Sequence, residues 1–145
     1  MIATFVMSLV LGTSIIALQT GFRYIDVARG DTLASQIMQS EIERLRLMAW
    51  EKTTPASVID SIVELPATEI VDLSTMFSTN AALASKFTVT RTVASETGAS
   101  ARTDVRFITV QVTWNSSDGK NHTRSFTTMY SKNGLYDYYY TLANS

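Results

Sequence analysis

The sequence predicts an α+β protein: a long N-terminal helix, its first half transmembrane, packed on a small antiparallel sheet. Three observations carry this. Residues 1–22 hold no charged side chain, the first being Arg23. From Tyr24 to Lys52 there is no proline, and apolar residues recur at helical spacing. After Lys86 the period changes to two, with turn residues between the second and third alternating runs. The segments that follow are 1–23, the hydrophobic half of the helix; 24–54, its amphipathic half; and 55–145, a globular head.

The opening segment, MIATFVMSLVLGTSIIALQTGF, is polar only at Thr4, Ser8, Thr13, Ser14, Gln19 and Thr20. At ~1.5 Å per residue it reaches across a ~30 Å hydrocarbon layer as a helix. A cleaved secretory signal needs a basic start and a small-residue cleavage site; no Lys or Arg precedes the run and no convincing site ends it. A buried core helix would need cover on every side from only ~120 other residues. A membrane helix satisfies its own backbone and needs no cover, and this is the reading the sequence favours. Charge gives no orientation, because Arg23 and Arg29 are offset by Asp26 and Asp31.

In the second half Leu33, Ile37/Met38, Ile42/Leu45 and Met48/Ala49 make one apolar stripe. Leu33, Ile37, Ile42 and Leu45 are the predicted seam with the head. Glu41–Arg44 and Glu43–Arg46, at i,i+3, are expected on the other surface, each pair worth ~0.2–0.5 kcal/mol. Pro55 is the expected terminator, since it disfavours helix in the residue before it. The helix is then about fifty residues and ~75 Å long, so its first half lies in membrane or against other copies of the protein. Gly12, Gly21 and Gly30 each cost about 1 kcal/mol relative to Ala. Two readings of them stand: close packing against a neighbouring helix, or a place where the helix stretches when it leaves the bilayer.

Residues 55–85 read as irregular around Pro55 and Pro66, with a short helix at Ile70–Ala84 carrying Leu73, Met76, Phe77 and Leu83. Three strands follow. Phe87, Val89, Arg91 and Val93 alternate with threonines; Ile108, Val110, Val112 and Trp114 alternate with Phe107, Thr109, Gln111 and Thr113; Phe126, Thr128 and Tyr130 form the third run. The loop between the first two covers 94–103. Asp118-Gly119 supplies the positive-φ positions of a hairpin turn. So small a meander is not stable alone, and the second half of the helix is its natural cover.

Twelve basic and thirteen acidic residues leave a charge of −1, so no nucleic-acid partner is predicted. The absence of cysteine removes disulfides, thiolate metal sites and thiol nucleophiles. The single His122 beside a turn reads as solvated rather than catalytic, and Asn115, Asp118 and Asn121 as turn residues rather than calcium ligands. No catalytic residue, metal site or cofactor is predicted, and the chain is read as non-enzymatic. Asn115 and Asn121 head glycosylation sequons that coincide with turn positions. Acids dominate between Glu51 and Thr75 and bases between Lys86 and Lys132. Glu64 and Glu69 are accordingly candidates for an interface between subunits, with ordinary solvated charge as the alternative. In the tail YDYYYTL, Tyr136, Tyr138 and Tyr140 share one side of a strand and either cover the sheet or offer an aromatic surface to a partner.

A hydrophobic helix running into an amphipathic half, then a small antiparallel sheet, resembles the type IV pilin and pseudopilin family. MIATFVMSLVLGTSIIAL (1–18) looks like the pilin N-terminal helix just after its processing motif, and SEIERLRLMAW (40–50) resembles the helix before the first loop. ITVQVTW (108–114) and RSFTTMYSKNGL (124–135) are similar to minor pilins of the PilV kind and to the type II secretion pseudopilin I. The family's basic leader, its glycine at the cleavage site and the glutamate at the fifth mature position have no counterpart here. The start is therefore expected to be misassigned or trimmed, and no residue is assigned to processing. The resemblance implies a structural subunit held in the inner membrane with its head outside the cytoplasm, then assembled with other pilin or pseudopilin subunits into a pilus or secretion pseudopilus. Val6, Leu9, Val10, Leu11, Ile15, Ile16 and Phe22 are the residues expected to pack in bilayer and filament. The rival class is a single-span, membrane-tethered binding domain that never polymerises.

Overall fold

The computed structural model describes residues 2–51, 61–74, 76–78, 80–98 and 101–134. It is α+β. A 45-residue helix, α1 (Ile2–Arg46), lies with its second half on a four-stranded antiparallel sheet. The strands, β1 (Thr68–Val71), β2 (Phe87–Ser95), β3 (Val105–Asn115) and β4 (Asn121–Ser131), pair in sequence order. A single 3₁₀ turn (Ile62–Glu64) and a short helix, α2 (Ala81–Ala84), complete the described elements.

Alternation sets which side of the sheet is dry. Phe87 pairs with Trp114, Val89 with Val112 and Arg91 with Val110, and all of these face α1 and are buried. Ala34, Ile37, Met38, Ile42 and Leu45 of α1 close the core from the other side. The outer face carries threonines, with Thr109–Thr127 and Thr113–Thr123 hydroxyl pairs at 2.9 and 3.2 Å across β3 and β4. The sheet runs along α1: Trp114, at the end of β3, lies over Gly30, and Tyr130, at the end of β4, reaches the carbonyl of Ile42 at 3.4 Å. The hairpin tip therefore points toward the apolar half of the helix.

Four details differ from the sequence reading. α1 ends at Arg46, because Leu47 and Met48 close a tightened last turn. The next two carbonyls, of Ala49 and Trp50, are taken by the amides of Ile62 and Val63, and Trp50 is buried in the core. Pro55, the expected terminator, lies outside the described residues. Glu41 is not on the outer surface but buried, since Ile37, Glu41 and Leu45 repeat every four residues and share the sheet-facing side. Residues 70–84 are not one helix: Ile70 and Val71 pair with Thr90 and Val89 as part of β1. Asp72 then accepts bonds from the amide and hydroxyl of Ser74, a turn that competes with helix, and among the described residues of this stretch only Ala81–Ala84 is helical, capped by Asn80. In the hairpin turn only Gly119 has positive φ, at 76°, and its amide bonds back to Ser116.

Candidate functional site

Every residue from Ile2 to Thr20 is exposed. The helix is long and apolar enough to cross a membrane, and none of its apolar stretch is buried by the rest of the chain. Val6, Leu9, Val10, Leu11, Ile15, Ile16 and Phe22 are between 50 and 68% exposed. Soluble chains do not hold that much contiguous apolar surface in water, so this half is covered by something else. The hydroxyls within it are already satisfied. Ser8 donates to Thr4, Thr13 to Leu9 and Val10, Ser14 to Val10 and Thr20 to Ile16, all backbone carbonyls one turn back. A helix whose hydroxyls bond inward presents lipid with little polar surface to desolvate.

The head takes hold of the helix four residues after Phe22. Asp26 accepts the hydroxyl of Ser116 and the amide of Ser117, both at 2.9 Å, with the Lys86 ammonium at 3.4 Å. The Ser117 amide, first, then the Ser117 and Ser116 side chains hold the Asp26 carboxyl well below the usual carboxylate range. One turn on, the indole of Trp114 lies flat enough on the backbone that a Cβ at Gly30 would fall inside contact distance of Nε1 and 2.9 Å from Cδ1. Gly30 thus serves close packing within the chain, while Gly12 and Gly21 have nothing within 4 Å. Arg124 then bonds Asp31 at 2.7 Å.

Farther along lies a buried ionic cluster. Arg91, 2% exposed, donates to Glu41 at 2.8 Å and to Glu69 of β1. Glu41 also takes a bidentate bond from Arg44, at 2.9 and 2.8 Å. A carboxylate and a guanidinium so deeply buried persist only as partners, and together they tie α1, β1 and β2 at one register.

Of the predicted seam, Ile37, Ile42 and Leu45 are buried and Leu33 packs half-buried against the same cluster. Glu64 is exposed on the 3₁₀ turn, whereas Glu69 is engaged by Arg91 of its own chain. Glu51 likewise pairs with Lys132 at 2.9 Å. Tyr136, Tyr138 and Tyr140 lie outside the described residues. His122 stacks on Trp114, with ring centroids 5.5 Å apart, and Nε2 is 3.1 Å from Asp118. The nearby Ser116 hydroxyl is committed to Asp26. Among the described residues no three acidic or imidazole groups are grouped to hold a metal. Sequence reasoning missed Asp26, Ser116 and the Glu41–Arg91 pair as the groups that fix helix to head. One signal was available: a charge at a core position of β2 and another in the apolar stripe of α1 each need an opposite partner.

No protein-family model, curated protein or solved structure matches the chain.

Proposed function

We propose that the chain is a structural subunit of the pilin or pseudopilin kind, without enzymatic activity. Its apolar half-helix stores it in the inner membrane, head outside the cytoplasm, and later packs against the same halves of other subunits in a filament. The observation that carries this is the exposed run from Ile2 to Thr20 on a continuous helix that the head grips only from Asp26 onward. Moving such a surface from lipid to a bundle of like helices keeps it dry at every stage, so assembly costs little hydrophobic free energy. The short-range inward bonding of its hydroxyls suits both surroundings equally.

Cysteine cross-linking tests this cleanly, because the chain has no cysteine of its own. Leu9→Cys and Ile16→Cys place a thiol at sites 60 and 63% exposed on that surface. With both cysteines in one chain, an assembled filament subunit gives an ordered ladder of oligomers on oxidation. A tethered domain that never polymerises gives none, and that result would overturn the proposal.

A further inference from the structure

The end of the head nearest the apolar helix is chemically lopsided. Around the hairpin tip and residues 23–31 of α1 stand five cations, Arg23, Arg29, Lys86, Lys120 and Arg124, and three carboxylates, Asp26, Asp31 and Asp118. Each carboxylate is already engaged: Asp26 by Ser116, Ser117 and Lys86, Asp31 by Arg124, and Asp118 by His122 and the amide of Lys120. Arg23, Arg29 and the Lys120 ammonium are exposed and have no carboxylate partner among the described residues.

We infer that this end of the head docks on an anionic phospholipid surface, with Arg23, Arg29 and Lys120 contacting lipid phosphates where α1 leaves the bilayer. The inference rests on the membrane reading of the apolar half. Residues 2–22 span about 31 Å as helix, which matches the hydrocarbon layer and puts Arg23 at headgroup level. Arg29 stands ~9 Å farther out and about 120° around the axis from Arg23, still within a Debye length of the surface. Lys120 belongs to the hairpin turn whose Ser117 amide Asp26 holds against the helix, which brings it to the same end of the head. Tyr24, 72% exposed, is an aromatic side chain of the kind that favours the interface. The occupant is thus fixed by position as well as by charge: whatever lies beside Arg23 in the stored state is headgroup.

The test uses the full chain with a single Asn121→Cys, dye-labelled, in vesicles of phosphatidylcholine alone or with phosphatidylglycerol, and energy transfer to a headgroup-labelled lipid. Asn121 is exposed at the tip, and Ser95→Cys at the far end of β2 is the control. Adding phosphatidylglycerol raises transfer at position 121 more than at 95, and high salt removes the rise. Each cation is worth about five-fold in the docked population, so Arg23→Gln/Arg29→Gln/Lys120→Gln abolishes it. A chain that floats with both vesicles yet shows no such rise, or keeps it in the triple variant, overturns this inference alone. A chain that floats with neither vesicle overturns the membrane reading, and this inference falls with it.

Discussion

Replacing Gly30 with Ala puts a methyl group where the Trp114 indole now lies. The new Cβ would be 2.9 Å from Cδ1, 3.2 Å from Cε2 and closer still to Nε1. The ring cannot simply step aside, being 3% exposed and packed between Phe87, at 6.2 Å between centroids, and His122, at 5.5 Å. Overpacking of this kind costs about 1–3 kcal/mol. Ala also gains about 1 kcal/mol over Gly in a helix, so the net loss is about 1 kcal/mol and at most ~2. At roughly 4 °C per kcal/mol for a domain of this size, the head melts about 4 °C lower, and at most ~8 °C. Gly21→Ala, with nothing within 4 Å, keeps the helix gain without the clash and melts no lower than the parent. Thermal unfolding of the full chain in detergent, followed by tryptophan fluorescence, reads both. If Gly30→Ala melts as high as Gly21→Ala, the indole is not wedged against the helix and this account of Gly30 is wrong.

Arg91→Met leaves the buried Glu41 with only the half-exposed Arg44 as counter-charge and is expected to cost about 1–3 kcal/mol by chemical denaturation; Glu41→Leu added to it recovers much of the loss. Were the double variant no more stable than the single, the cluster would not be the unit described. Asp26→Asn tests the tip contact through pH. Because the folded carboxyl titrates below its unfolded value of about 3.9, its contribution is full above that pH and declines as pH falls toward the lowered folded value. Melting temperature should therefore fall less steeply below about pH 4 in Asp26→Asn than in the parent; equal slopes refute it. Ile37→Ala should cost about 2–5 kcal/mol in head stability, whereas Leu9→Ala, outside the core, leaves the melt unchanged. A lowered melt for Leu9→Ala would mean the apolar half contacts the head.

Elements with a local period were legible in the sequence. The stripe Leu33–Ile37–Leu45 and the alternations in β2 and β3 need only knowledge of residues a few places apart, and the Asp118-Gly119 turn announces itself. What was not legible depends on partners far along the chain. β1 is a four-residue strand whose existence follows from pairing with Thr90 and Val89, not from its own pattern. Glu41 beside Arg44 looks like a surface pair until Arg91, fifty residues away, shares the Oε1 that Arg44 also binds. Asp26 seemed merely to cancel Arg23, and only the fold brings Ser116 and Ser117 to it. The apolar half was legible for a different reason: twenty-two residues without a charge mark it by composition alone, whatever the rest of the chain does.

The last apolar residue of the exposed half and the first one gripped by the head are Phe22 and Asp26, within about one turn of each other on an unbroken helix. No hinge separates them. Gly21, the nearest residue with a high intrinsic cost in a helix, is helical here, and the hairpin tip begins bracing the rod immediately beyond it. The two halves therefore lie on one continuous helix, so that turning the apolar half about its axis carries the head with it. A neighbour that packs against Leu9 and Ile16 consequently also selects which face of the sheet, and which acids and bases, it meets outside. The Glu41–Arg91–Glu69 cluster then has a physical purpose beyond stability. A wholly apolar seam tolerates small slips of helix on sheet, whereas a buried ion pair holds only at one register. If the chain is the filament subunit proposed above, that single register makes lateral packing and head placement the same event.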